Sequence, residues 1–62
     1  MARLKIARTR AGLTQAQLAK EVGVTRQTIN LIENGRYNPT LKLCLAICHR
    51  LNASLDELFW ED

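Results

Sequence analysis

The stretch "GVT" at residues 23–25 constrains this chain more than any other feature, because a helical pattern stands on each side of it. Thr14 with Gln17 fits the capping box that begins a helix, and Thr25 is a plausible N-cap for the next one. A three- or four-residue turn that contains glycine joins two helices at a steep angle, which is the geometry of a helix-turn-helix. We therefore predict two closely crossing helices at about 14–34.

The rest of the chain also carries helical signals, and no alternating β-branched run indicates a strand. Ser54 with Glu57 forms a second capping box, and Thr40 is another plausible N-cap. Glycines at 12, 23 and 35 fall where helices should stop. The sequence of 62 residues predicts one all-α domain, 1–62, with five helices at about 2–11, 15–22, 26–34, 41–52 and 55–60.

The apolar residues of these helices indicate where the core lies. The fourth helix is apolar over most of its circumference, so we expect it to be the central helix of the core. A small Ala19 would let the second and third helices approach each other. The residues that point inward from these two helices and their turn are Leu18, Val22, Val24, Ile29 and Ile32.

The charges are divided unevenly along the chain. Residues 1–42 contain eight Lys/Arg and two Glu, whereas residues 43–62 contain one Arg and four Asp/Glu. The basic part is suited to a polyanion, and the acidic part would face away from it. A solvated basic surface is the alternative that charge by itself leaves open.

Several classes of protein do not fit this sequence. The longest apolar run, residues 43–48, is far shorter than the roughly 18 residues of a membrane span, and no secretory signal precedes it. We expect a soluble, cytoplasmic protein. Cys44 and Cys48 lie four residues apart on one apolar helix, which favours core thiols over a disulfide or a metal site. With His49 as the only histidine, we predict no enzyme, no metal and no cofactor.

The third helix carries an unusual outward face. With Ile29 directed inward and 100° per residue, Gln27, Asn30, Leu31 and Asn34 lie on the opposite side. Arg26 projects from the first turn. Amide side chains pair with adenine edges and arginine pairs with guanine, so this face is suited to duplex DNA. The alternative is a polar surface that only maintains solubility; the preceding helix and turn favour DNA recognition.

The segment "GLTQAQLAKEVGVTRQTINLIENGRYNPT" resembles the core of the phage-repressor and Cro-like helix-turn-helix family, and the resemblance extends from about Leu4 to Trp60. It implies five helices, a homodimer and specific binding to double-stranded DNA. It also implies that Arg8 and Glu33 form a structural ion pair. Carried over by position, the residues that contact DNA are Gln15, Thr25, Arg26, Gln27, Thr28, Leu31, Asn34, Arg36 and Tyr37. Asn30 is a further candidate from its place on the outward face of the third helix. Leu31 departs from the polar residue often found at its position and indicates contact with a thymine methyl.

The sequence is compatible with two functions. The first is a dimeric transcriptional repressor, of bacterial or phage origin, that reads a pseudo-palindromic operator in the major groove. The second is an antitoxin-like or adaptor module that uses the same fold to hold another protein. No small-molecule effector and no membrane partner is evident from the sequence.

The fifth helix suggests how two copies would associate. A helix of this length is not stable alone, so it must pack against something. Its apolar residues are more than one small core has room for, and we expect a two-fold interface at about 54–60, which part of the fourth helix could join. The predicted interface residues are Leu55, Leu58, Phe59 and Trp60. Closure of the monomer core by the same residues is the alternative.

Overall fold

The structure is a computed structural model that describes residues 2–59. Five helices occupy this range, and no strand occurs in it. The prediction of an all-α fold is confirmed, and no predicted helix end within the described residues differs by more than one residue. The helices are α1 (Ala2–Arg10), α2 (Gln15–Val22), α3 (Arg26–Glu33), α4 (Leu41–Leu51) and α5 (Leu55–Phe59).

Helices α2 to α5 begin at the residues that the capping signals predicted. The Thr14 hydroxyl accepts from the Gln17 backbone N–H at 3.1 Å, and the Thr14 N–H donates to Gln17 Oε1 at 2.8 Å. Ser54 forms the same reciprocal pair with Glu57. Thr25 and Thr40 cap α3 and α4 through their hydroxyls. These bonds satisfy backbone donors that the first turn of a helix otherwise leaves unpaired.

Residues in the left-handed backbone conformation follow α1, α2, α3 and α4, and the sequence predicted three of these four. Gly12, Gly23 and Gly35 all have positive φ. The fourth is Asn52, which ends α4 with φ 54° and ψ 47°. Asparagine is one of the few residues with a side chain that adopts this conformation readily.

The core lies where α1, α2, α3, α4 and α5 meet. Ala19 is 2% exposed, as expected for a residue at the crossing of α2 and α3. Of the five residues predicted to point inward, three are fully buried and the two valines are half-buried against the core. The largest fully buried side chains are Leu4, Leu18, Ile29, Ile32 and Ile47.

Two expectations about the core were wrong. Helix α4 buries only one side: Leu41 is 65% exposed and Leu45 is 49% exposed. Helices α2 and α5 pack against α4, but within the described residues they leave Leu41 and Leu45 largely uncovered. Leu58, predicted at a dimer interface, is 2% exposed within its own chain, because the core has room for it. Trp60 lies outside the described residues.

The two cysteines are core residues, as predicted. Cys44 and Cys48 are both buried and unbridged. Burial raises the pKa of each thiol, because a thiolate loses hydration in an apolar environment. They therefore contribute packing and little reactivity. Among residues 2–59, no helix combines the length and the apolar character needed to cross a bilayer.

The left-handed end of α4 gives a stability prediction. Asn52→Gly should raise the free energy of unfolding by about 0.5–1 kcal/mol, because glycine has no steric cost at positive φ. Thermal denaturation followed by circular dichroism measures the change. The matched control is Asn38→Gly, since Asn38 is exposed and has no positive φ. That substitution only increases the conformational entropy of the unfolded chain, so it should lower the melting temperature. An equal effect of the two substitutions would contradict this role for Asn52.

Candidate nucleic-acid interface

The turn between α2 and α3 fixes the orientation of the third helix. Gly23 adopts φ 79° and ψ 30°, and its N–H donates to the Ala19 carbonyl. The Val24 N–H donates to the same carbonyl at 2.9 Å. Because Ile29 and Ile32 are fully buried against the core, the opposite side of α3 is directed outward. The helix-turn-helix predicted from the "GVT" stretch is therefore present.

The outward side of α3 carries the predicted polar residues. Arg26 and Gln27 are exposed, and together with Asn30 they line a depression in the surface. Leu31 is half-buried beside them. The depression thus combines a guanidinium with two amides, which are groups that donate to and accept from base edges.

The two threonines at the start of α3 have local partners. The Thr25 hydroxyl accepts from the Thr28 N–H at 3.2 Å, and the two hydroxyl oxygens lie 3.0 Å apart in a hydrogen bond. Thr25 is exposed and Thr28 is half-buried. The threonines hold the first turn of α3 in place while leaving Thr25 accessible to a phosphate.

The loop after α3 is exposed, and backbone hydrogen bonds tie its first residues to α3. Asn34, Arg36 and Tyr37 are all exposed, and Tyr37 retains 42% of its accessible surface. The Arg36 N–H donates to the Leu31 carbonyl at 2.9 Å, which ties the loop to the last turn of α3. The positive side chain of Arg36 therefore extends from a fixed backbone position next to the α3 face.

Arg8 and Glu33 form a buried ion pair between α1 and α3. Arg8 Nε donates to Glu33 Oε2 at 2.6 Å, and Nη2 donates to Oε1 at 3.1 Å. Arg8 Nη1 donates to the Leu13 carbonyl at 2.8 Å. Arg8 is 9% exposed and Glu33 is 8% exposed. The bidentate geometry suits arginine in particular, and burial leaves little of Arg8 exposed to a phosphate.

The carboxyl of Glu33 is held in its charged form. Burial raises the pKa of Glu33, but hydrogen bonds from Arg8 and Gln15, with the positive charges of Arg8 and Lys5, lower it further than burial raises it. The net pKa lies below the ordinary value of 4.5. Glu33 is therefore ionised at neutral pH.

The structure brings Gln15 to the ion pair, which the sequence did not reveal. Gln15 Nε2 donates to Glu33 Oε1 at 3.0 Å, and Gln15 Oε1 accepts from Asn30 Nδ2 at 3.5 Å. Gln15 is the first residue of α2 and is half-buried. The spacing of Asn30 and Asn34 indicated neighbours on one helix. A contact between residues separated by 18 positions carries no such periodic signal.

Comparison with known proteins gives one consistent result. The helix-turn-helix family model matches residues 4–58. An uncharacterized HTH-type transcriptional regulator of Archaeoglobus fulgidus is 46% identical over 57 residues, which cover 92% of this chain and 81% of that protein. The restriction-modification controller protein C.AhdI from Aeromonas hydrophila has a TM-score of 0.85 and 34% identity, covering 94% of this chain and 88% of its own. Antitoxin HipB of Escherichia coli is 36% identical over 52 residues, which cover 84% of this chain and 59% of HipB.

The buried ion pair gives the second prediction. Arg8→Met should lower the free energy of unfolding by roughly 3–5 kcal/mol, because Glu33 is then left buried without its arginine. Thermal or urea denaturation measures this loss. Arg10→Met is the matched control, since Arg10 is exposed near the end of the same helix. If both variants melt like the parent protein, the pair does not stabilise the fold.

Proposed function

The chain belongs to the helix-turn-helix family of DNA-binding transcriptional regulators, which are not enzymes, and from that premise we propose a homodimeric repressor that reads a pseudo-palindromic operator. The observation that carries the proposal is the depression formed by Arg26, Gln27 and Asn30 on the outward side of α3. A recognition helix places side chains such as Arg26 and Gln27 against base edges in the major groove, and Asn30 lies beside them. The proposal includes a cytoplasmic location and a bacterial or phage origin.

The proposed contacts divide into two groups. Arg26 and Gln27 reach base edges, and Leu31 contacts a thymine methyl beside them. Residues around this centre hold the DNA backbone and fix the position of α3 along the groove. This second group consists of Gln15, Thr25, Thr28, Asn30, Arg36 and Tyr37.

A single copy of this domain reads too little DNA to be specific. Helix α3 has eight residues, so it is about 12 Å long and covers only part of one helical turn of DNA. Two copies related by a two-fold axis would place two α3 helices roughly 34 Å apart, on successive turns of one face of the duplex. A bound dimer of this kind would block access to a promoter that overlaps the operator.

The exposed apolar side of α4 is the surface that we assign to the dimer. Leu41 and Leu45 lie four residues apart and therefore on one face of α4. Two exposed leucines on one helix are costly in a domain this small unless a partner covers them. Because a two-fold interface uses the same patch from both copies, a second copy of the chain supplies a matching apolar surface. Leu55 and Phe59, both half-buried on α5, are the proposed flanking contacts.

The antitoxin-like alternative also has a specific observation in its favour, namely the similarity to HipB. In that function the exposed leucines of α4 would contact a different protein. Sedimentation of the purified protein separates the two functions, because a repressor dimer forms without any other protein, whereas an adaptor would remain a monomer.

The third prediction concerns base recognition. Gln27→Ala should weaken binding to a duplex selected from random DNA by about 1–3 kcal/mol, while binding to random duplex changes little. Fluorescence anisotropy with both duplexes measures the difference. Gln17→Ala is the control on an exposed glutamine of α2, whose oxygen accepts from Thr14. Equal losses on both duplexes would assign Gln27 to backbone contact instead.

The fourth prediction concerns the phosphate backbone. Arg36→Gln should weaken binding to selected and random duplexes alike, and it should reduce the slope of log K against log salt by about one unit. Arg50→Gln is the control, because Arg50 pairs with Glu21 and sits on α4. An unchanged slope for Arg36→Gln would place this side chain away from the DNA.

The fifth prediction tests the dimer. Leu45→Lys should convert a species of about 14 kDa, twice the 7.0 kDa chain, into the monomer, and it should weaken operator binding. Ile6→Lys on α1 is the matched control, because Ile6 and Leu45 are both 49% exposed. Leu58→Asp is unsuitable as a test, since it would place a charge in the monomer core. Analytical ultracentrifugation that shows the same mass for Leu45→Lys and the parent dimer would exclude this face as the interface.

A further inference from the structure

A continuous line of hydrogen bonds joins the ion pair to the outward side of α3. Gln15 Nε2 donates to Glu33 Oε1, and Asn30 Nδ2 donates to Gln15 Oε1. Asn34 Nδ2 donates to Asn30 Oδ1 at 3.3 Å and to the Asn30 carbonyl at 2.9 Å. We call Glu33, Gln15, Asn30 and Asn34 the amide relay.

The direction of every bond in the amide relay follows from the charge at one end. An ionised carboxylate only accepts hydrogen bonds, whereas a side-chain amide has one donor end and one acceptor end. Glu33 therefore requires the nitrogen of Gln15, so the oxygen of Gln15 faces Asn30. Asn30 must therefore donate from its nitrogen to the Gln15 oxygen, which directs the Asn30 oxygen toward Asn34. Reversal of any one amide would bring two acceptors or two donors together.

The groups packed around Glu33 maintain that charge. Arg8 donates to both carboxylate oxygens, and Lys5 on the same helix adds a positive charge nearby. From α2, Gln15 contributes a further donor. Because these groups all favour the ionised carboxylate, Glu33 only accepts hydrogen bonds at neutral pH, and the amide relay begins from an acceptor.

The relay determines which atoms remain for another molecule. An amide nitrogen carries two hydrogens. The relay uses one hydrogen from Gln15 and one from Asn30, so each keeps one donor. Asn34 directs its nitrogen to two oxygens of Asn30 and keeps its own oxygen, an acceptor. A phosphate oxygen only accepts, so it complements Gln15 and Asn30 but not Asn34.

We propose that Glu33 is a positioning residue for DNA, which directs the amide relay so that Gln15 and Asn30 meet the phosphate backbone as donors while Asn34 supports Asn30. This inference rests on the proposed function, in which the α3 face binds duplex DNA. It gives Asn34 a different role from the backbone contact that the family resemblance implied. It also gives the ion pair a second role besides stability.

The first experiment tests the relay without DNA. The Glu33 carboxyl carbon and the side-chain amide groups are followed by NMR as the pH of the labelled parent protein is lowered. The Gln15, Asn30 and Asn34 amide signals should shift with the same midpoint as Glu33, below pH 4.5. Gln17 is the internal control, because its oxygen is fixed by the Thr14 N–H. Relay amides that do not follow the Glu33 titration would overturn the proposal.

The second experiment measures DNA affinity at neutral pH. Glu33→Gln should weaken binding to selected and random duplexes by about tenfold. A neutral side chain at this position no longer requires the nitrogen of Gln15, so the Gln15 and Asn30 amides are no longer held as donors to the charged phosphates. Glu21→Gln is the matched control, because it makes the same change in the exposed pair with Arg50 and should bind like the parent. Gln15→Met removes the first amide of the relay but retains the ion pair between Arg8 and Glu33. This variant therefore still tests the proposal if Glu33→Gln folds poorly.

The outcomes are distinguishable from failure of the proposed function. If Gln15→Met binds both duplexes like the parent, the relay does not position donors for DNA and the proposal is overturned. If the parent itself binds no duplex, the proposed function fails, whereas the NMR titration still decides whether Glu33 directs the amides. Joint movement of the amide signals together with a loss in both variants supports the inference.

Discussion

The buried pair between Arg8 and Glu33 is the interaction on which the rest of the structure depends. It fastens α1 to the end of α3, and through the Leu13 carbonyl it also fixes the start of the chain that leads into α2. Gln15 extends the same contact to the first residue of α2. Three helices thus converge on one carboxylate. Since the apolar core of a 62-residue domain is small, a geometrically demanding polar contact is an effective way to select one arrangement of these helices.

The position of this pair also connects stability with recognition. Glu33 is on α3, whose other side carries Arg26 and Gln27, so a shift of the carboxylate would move the helix that carries both residues. The turn at Gly23 restrains the same helix from its other end. With both ends of α3 fixed, its outward side chains are preorganised, and binding costs less conformational entropy than it would for a mobile helix.

The fourth helix is apolar on more of its surface than one monomer buries, and Leu41 and Leu45 remain exposed. The fifth helix, by contrast, directs Leu58 fully into its own core. The apolar surface that a partner would cover is therefore on α4 more than on α5. This division separates the proposed contact between subunits from the residues that hold each subunit together.

The sequence by itself determined the local structure, because capping boxes, N-caps and left-handed glycines act over three or four residues. Thr14 with Gln17 and Ser54 with Glu57 began their helices where the pattern placed them. The outward position of Gln27 followed from helical periodicity alone. The pairing of Arg8 with Glu33 was implied by family resemblance and not by any local signal.

Tertiary structure alone decided what depends on contacts between distant parts of the chain. Periodicity identified the apolar residues of α4 and α5 but not which of them a neighbouring helix would cover, so α4 was expected at the centre of the core and Leu58 at an interface. The bond between Gln15 and Glu33 was equally invisible, because its geometry exists only after α2 and α3 have crossed. Local signals specify where a helix begins and which way it faces, whereas burial depends on the limited number of partners that a small domain provides.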